Sequence, residues 1–324
     1  MNEPVRHLGM VLDGARVAAY RRALDAAIDE GATVADVGAG SGLLSVLACR
    51  AGAGRVFAIE PSPVIGLARE LVAANGCGDR VTFLRADAAG VELPGPIDLV
   101  VSDLRGTLPL RLPQLRALAG FTRRWLAPGG TSVPGRDTLW AAPCRNRRAI
   151  HRRAIQHSSA GEALADVDLS PLVASVTHTW WRQDLAAEDL AGEPRSWGEV
   201  VFGEEPGRLR AELSWDFAEA TVIDGLAAWF SADLGFGAAF DSAPGAGPET
   251  CYGQAFFPWP RRLEVAAGDV LGVTLRADPT GEHFTWSWRC DLRRAGASVA
   301  SLDQSTFQAA ALGLLPSGGG AGGS

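Results

Sequence analysis

Three glycines at alternate positions, Gly38, Gly40 and Gly42, follow an acid, Asp36, at the end of a short run rich in Val and Ala. Such a turn lets a ligand approach bare backbone, because glycine adopts positive φ and has no side chain in the way. An apolar helical segment, Leu43–Arg50, begins directly after it. A helix start offers unpaired N–H groups to whatever lies before it. The next apolar run, Arg55–Ile59, ends in Glu60, and an acid there can hold both hydroxyls of a ribose. The chemistry in view is a grip on a ribose-bearing ligand. Two further acids close later segments, Asp87 and Asp103.

Two nucleotide grips do not fit. The dinucleotide fingerprint needs a third glycine where Leu43 stands, and the phosphate-binding loop needs Gly-Lys, whereas all thirty basic residues here are arginine. What remains resembles the D-x-G-x-G-x-G turn of methyltransferases that use S-adenosylmethionine, a cofactor without phosphate.

The elements that must position these residues alternate. Strand patterns at Val34–Val37, Val56–Ile59, Val81–Arg85 and Ile97–Ser102 are interleaved with helical ones at Leu43–Arg50, Pro63–Asn75 and Pro113–Trp125. A strand at Thr131–Ala142 follows Gly129-Gly130. Interleaving of this kind implies βαβ units and a parallel sheet whose strand ends share one rim. Gly38, Glu60, Asp87 and Asp103 then lie together. After Pro134 the pattern turns to short alternating strands, at Thr138–Ala142, Val200–Phe202, Leu209–Phe217, Gly225–Phe230, Leu271–Leu275 and Phe284–Cys290. In the last, Phe284, Trp286 and Trp288 share a face at period two. The expected fold is α/β, a Rossmann-like sheet over residues 1–133 followed by a mainly antiparallel β-barrel domain over 134–315. A more helical insertion spans about 156–189, and the Gly/Ser tail, 316–324, is expected to be disordered.

The chain has 324 residues, is 47% hydrophobic and carries a formal charge of −7. Two domains with substantial cores fit that length. The acidic balance argues against nonspecific nucleic-acid binding. Five scattered cysteines contain no C-x-x-C pair, so no metal site is expected. With no membrane-length apolar run or signal peptide, the expectation is a cytoplasmic protein that neither spans nor binds a membrane.

With these residues in view, the chain resembles the protein arginine methyltransferase family over nearly its whole length. His7, Met10, Asp13, Arg16 and Tyr20 stand in the pattern H-x-x-M-x-x-D-x-x-R-x-x-x-Y. The resemblance implies a helix lying across S-adenosylmethionine, with Arg16 on its carboxylate and Met10 near its sulfonium and adenosine. It implies Glu60 on the ribose and, as further cofactor-binding residues, Pro61, Asp87, Ala88 and Ser102. Asp87 is placed to accept from the adenine amino group, while Ala89 stands where the family has its adenine-contacting glutamate, so this pocket wall differs. It also implies a cis Pro134 at the domain crossing, and a homodimer built through the inserted arm.

The departures concern the acceptor. Family members clamp a guanidinium between two glutamates in the loop after the fourth strand. Here Asp103 replaces the first and Leu112 falls at the second, while Arg105 and Arg111 add positive charge. Cys251 replaces a family histidine in Thr250-Cys251-Tyr252. The expected enzyme methylates an amine nitrogen of a peptide or protein, as in tailoring of a ribosomally made peptide of the daptide type. Asp103 is expected to orient the acceptor, and His7 is the second candidate catalytic residue. Alternatives are arginine N-methylation and a silent scaffold. Asp103 can equally be a loop acid paired with Arg105. His178 reads as a packed histidine, and the tryptophans as core.

Overall fold

The computed structural model describes residues 3–146, 167, 176–245 and 250–311. Five apolar runs form one parallel sheet. They are β1 (Thr33–Val37), β2 (Arg55–Ile59), β3 (Val81–Leu84), β4 (Ile97–Ser102) and β5 (Leu126–Val133). Their order is β3-β2-β1-β4-β5, and every pairing is parallel. Val34, Ala35, Val56, Ala58, Val100 and Val101 are fully buried. Continuous apolar strands of this kind suit a sheet covered on both faces. The cover is α2 (Gly14–Ala27), α3 (Leu43–Arg50), α4 (Ile65–Ala74) and α5 (Leu112–Trp125). Strand order reverses between β1 and β4, where Val37 lies opposite Ser102. Ligands of open α/β sheets bind at that switch point, beyond the carboxyl ends of the strands.

The leading helical stretch is two helices, α1 (Glu3–Leu12) and α2. The break falls at Asp13, whose carboxylate accepts the Arg16 N–H at 3.0 Å and so caps α2. A short polar side chain at this position satisfies a backbone donor that the helix itself leaves open.

The expected single strand Thr131–Ala142 is corrected to two, β5 and β6 (Arg136–Cys144). Proline has no N–H to give a ladder, and the chain leaves the parallel sheet at the cis Val133–Pro134 bond. Among the described residues, every strand pairing of the second domain is antiparallel. β8 (Arg195–Val201), β10 (Thr221–Gly235) and β12 (Gln254–Val265) form one sheet with β6 and the short edge strands β7 (Trp181–Gln183) and β11 (Ala238–Asp241). β9 (Leu209–Asp216), β13 (Val270–Thr280), β14 (His283–Arg294) and β15 (Ala297–Ser305) form the other.

Two strands here are additions to the sequence reading. β12 is disguised by Pro258 and Pro260. A register shift between Ile223 and Gly225 on its partner seats Pro258 opposite Gly225, the sort of irregularity at which a sheet tolerates proline. β15 is poor in the β-branched and aromatic residues that mark strands. Phe284, Trp286 and Trp288 do share the inner face and are buried. The ring of Trp286 lies 5.3 Å from Phe257, 5.6 Å from Trp197 and 6.1 Å from Trp180.

The proposed arm lies largely outside the described residues, as does the tail from 312. Within the described end of the 156–189 range, β7 pairs with β12 inside the barrel sheet, and a short 3-10 helix, Ala187–Asp189, follows it. His178 is packed there. Its Nδ1 accepts the Ser305 N–H at 3.2 Å, and burial lowers its pKa.

Candidate active site

The glycine turn is built as its spacing predicts. Gly38, Gly40 and Gly42 have φ of +77°, +52° and +81°. A Cβ at Gly38 would stand 2.4 Å from Leu104 Cδ2, and one at Gly40 would stand 2.8 Å from His7 Cε1. The turn therefore needs glycine for its dihedrals and for the two side chains that close over it. The contact at Gly40 also places α1 across the turn, with His7 on the cofactor side of the site.

Glu60 closes the turn from β2. Its Oε2 accepts the Gly40 N–H at 3.1 Å and its Oε1 accepts the Ser62 N–H at 2.9 Å. Pro61, between them, is exposed. Asp36 is fully buried and takes a 2.7 Å hydrogen bond from Ser45 on Oδ2. Burial pushes its pKa up to about 7, against the Ser45 bond. Its Oδ1 and the Ser102 Oγ are buried without hydrogen-bond partners among the described residues. Asp36 and Ser102 belong to neighbouring strands, one residue apart in register. Two orphaned polar atoms at the switch point, beside bare glycine backbone, fit a polar ligand that supplies their partners. S-adenosylmethionine suits this cradle.

Asp87 is exposed, and its Oδ1 accepts the Ala89 N–H at 2.8 Å, so one oxygen caps its own turn. Ala88 lies in that turn and packs partly against the core.

Arg16, Asp103, Tyr252 and Arg105 form one buried network. Arg16 Nε donates to Asp103 Oδ2 at 2.5 Å and to the Tyr252 hydroxyl at 3.2 Å. Its Nη1 donates to the Met10 carbonyl at 2.8 Å, which ties α1 to α2. Nη2 has no partner among the described residues. The Tyr252 hydroxyl lies 2.7 and 2.6 Å from the two Asp103 oxygens, and Arg105 Nη1 donates to Oδ1 at 3.1 Å. Burial works to raise the Asp103 pKa, but the guanidinium groups of Arg16 and Arg105 outweigh it and hold the carboxyl below its usual range. Asp103 is thus a fixed anion. The expectation of a carboxylate presented to the acceptor gives way to the paired alternative, because both oxygens already accept charged or hydroxyl donors.

Arg105 is likewise no lining charge. It forks onto Asp137, with Nε to Oδ2 and Nη2 to Oδ1 both at 2.6 Å. Leu112 is buried at the start of α5. The barrel joins the network a second time where the Cys251 N–H donates to Asp13 Oδ2 at 3.0 Å. Sequence reasoning missed Tyr252 and Asp137 as partners of Asp103 and Arg105. The available signal was an acid, Asp137, entering just after the domain crossing in a chain that places an arginine, Arg105, in the acceptor loop.

The Methyltransferase domain family matches residues 34–130. The Arabidopsis thaliana "Probable protein arginine N-methyltransferase 6" is 29% identical over 240 residues, 70% of this chain and 54% of that protein. The "Arginine N(omega)-methyltransferase" of Streptomyces achromogenes subsp. streptozoticus is 30% identical over 286 residues, 85% of this chain and 76% of that protein. The chain belongs to the protein arginine methyltransferase-like family of class I S-adenosylmethionine-dependent methyltransferases. The fold agrees. A Trypanosoma brucei PRMT1 enzyme-prozyme heterotetrameric complex with AdoHcy superposes with a TM-score of 0.79 at 19% identity, over 92% of this chain and 97% of that one. The chain spans about half the length of the Arabidopsis relative and about three quarters of the Streptomyces one. In this chain α1 meets the glycine turn through His7, Glu60 closes that turn, and the network around Asp103 joins α2 and the loop after β4 to the barrel.

Proposed function

We propose that this chain methylates an amine nitrogen of a peptide or protein, in tailoring a peptide product. Bound S-adenosylmethionine supplies an electrophilic methyl on a sulfonium leaving group, so the protein's work is alignment and exclusion of water. In this reading His7 and Met10 cover the cofactor, Arg16 offers Nη2 to its carboxylate, and Asp103 holds Arg16 in place. One observation carries the choice of acceptor. The acids beside the site are already committed, Asp103 to Arg16, Arg105 and Tyr252, and Asp137 to Arg105. A guanidinium acceptor needs free carboxylates along its fork. An amine needs only to be neutral when it attacks, and a site without spare negative charge does not hold it as ammonium.

The test is incubation with methyl-labelled cofactor and two peptide series of matched sequence, one bearing a free terminal amine and one bearing arginine. Tandem mass spectrometry showing label on the amine nitrogen supports the proposal. Label confined to the guanidinium overturns it. Arginine N-methylation is the second reading, favoured by the 30% identity to the Streptomyces arginine N(omega)-methyltransferase across 85% of this chain. We also propose a cytoplasmic homodimer built through the inserted arm, checked by light scattering of the full chain.

A further inference from the structure

The Arg105 side chain is 0% exposed, and all three of its nitrogens are engaged. Two donate in parallel to Asp137 and the third donates to the Tyr20 hydroxyl at 2.7 Å and to Asp103 at 3.1 Å. Its Cζ lies 4.9 Å from the Phe202 ring centroid, 5.5 Å from Phe230 and 5.4 Å from Phe240. A carboxylate matches the planar fork with paired hydrogen bonds, and aromatic faces attract the cation. The walls come from α2, the acceptor loop, β6, the residue after β8, β10 and β11. Six separate segments therefore converge on one guanidinium.

Tethering makes this a ligand in place rather than an ordinary surface pair. Asp103 links the box directly to Arg16 on the cofactor side. Leu104, between Asp103 and Arg105, closes over Gly38. The box is closed to solvent and shares one carboxylate, Asp103, with Arg16. We infer that the box of Asp103, Asp137, Tyr20, Phe202, Phe230 and Phe240 is a guanidinium receptor filled by the chain's own Arg105, and that Arg105 is the specificity-determining residue that keeps arginine side chains out of it. The receptor stands on its geometry alone; the exclusion of arginine rests on the amine reading above.

The experiment uses the full chain with Arg105→Gly, melted in increasing methylguanidinium, with equal concentrations of methylammonium and sodium chloride as controls. The expected result is a variant with a lower Tm that methylguanidinium raises in a saturable manner, while methylammonium does not and the wild type stays unmoved. A folded variant that responds equally to all three salts overturns the inference. So does a variant that stays unfolded at every methylguanidinium concentration, since refilling the box should restore it. The double variant Arg105→Met with Asp137→Leu keeps the volume apolar. It should fold and show no methylguanidinium response, and a response equal to that of Arg105→Gly also counts against a receptor. N-acetylarginine methylamide should bind Arg105→Gly at least tenfold more tightly than wild type by calorimetry, and equal binding removes the specificity role. None of these readouts uses methyl transfer, so failure of the amine assay and failure of the receptor are separate results.

Discussion

The Tyr252 hydroxyl meets Asp103 Oδ2 at 2.6 Å, joining residues 149 positions apart and the two domains of the chain. Arg16 and Arg105 complete the grip on the same carboxylate. Cofactor side and barrel are therefore coupled through one buried anion.

Asp103→Asn should cost about 3–5 kcal/mol at neutral pH, because it leaves two buried guanidinium groups short of charge. Tyr252→Phe should cost less, about 1.5–3 kcal/mol for a hydrogen bond to a charged group. The Asp103 pKa is held below its ordinary value in the folded state. The ionised carboxylate thus contributes stability above about pH 4, and that contribution disappears as pH falls through the folded pKa. Denaturant titrations should show the wild type's advantage over Asp103→Asn shrinking below pH 4. A gap of constant size down to pH 2 would contradict the pairing.

Glu60→Gln should leave the fold intact and weaken cofactor binding. The substitution keeps an oxygen for the turn's own N–H donors, Gly40 and Ser62, and replaces the charged acceptor proposed for the ribose hydroxyls by a neutral amide. Losing charge assistance costs about 1.5–3 kcal/mol, or roughly ten- to a hundredfold in Kd. Calorimetry with S-adenosylhomocysteine reads this directly, and an unchanged Kd removes Glu60 from the cofactor site.

Asp36 gives the opposite pH behaviour to Asp103. Burial raises its pKa to about 7. The neutral form is the stable one in the fold, so its contribution is complete below about pH 4, is lost as pH rises to about 7, and then levels off. In cofactor-free protein, Asp36→Asn should gain in Tm relative to wild type across that interval. An offset that does not vary between pH 4 and 8 would show that Asp36 titrates normally.

Cys251 should resist alkylation. Burial pushes its thiol up to about 12, and the thiolate is the reactive form. Iodoacetamide at pH 8 should label the native protein far more slowly than the same protein in denaturant. Equal rates in the two states would mean an open thiol at the Asp13 cap.

Much of the cofactor half was legible from local order. Gly38, Gly40, Gly42, Asp36 and Glu60 lie within one strand-turn-helix-strand unit, where dihedral demands and strand-end position follow from neighbours a few residues away. The helix Leu43–Arg50 and the strand Ile97–Ser102 occur at the boundaries read from apolar pattern. β12 was hidden because it bulges within its own Pro258–Leu263 stretch, where five positions pass while its partner advances two, and the prolines at that bulge break the strand pattern. The two-helix lead-in turned on a single capping acid, Asp13.

The sequence by itself determined the parallel sheet, the glycine turn and the acid that closes it, since these depend on interactions short in sequence. Only the tertiary structure decided what Asp103 and Arg105 do. Their partners, Arg16, Tyr252 and Asp137, arrive from 87, 149 and 32 positions away. A buried charge takes its protonation and its availability from whatever the fold packs around it, and that environment is assembled only when both domains close on the same carboxylate.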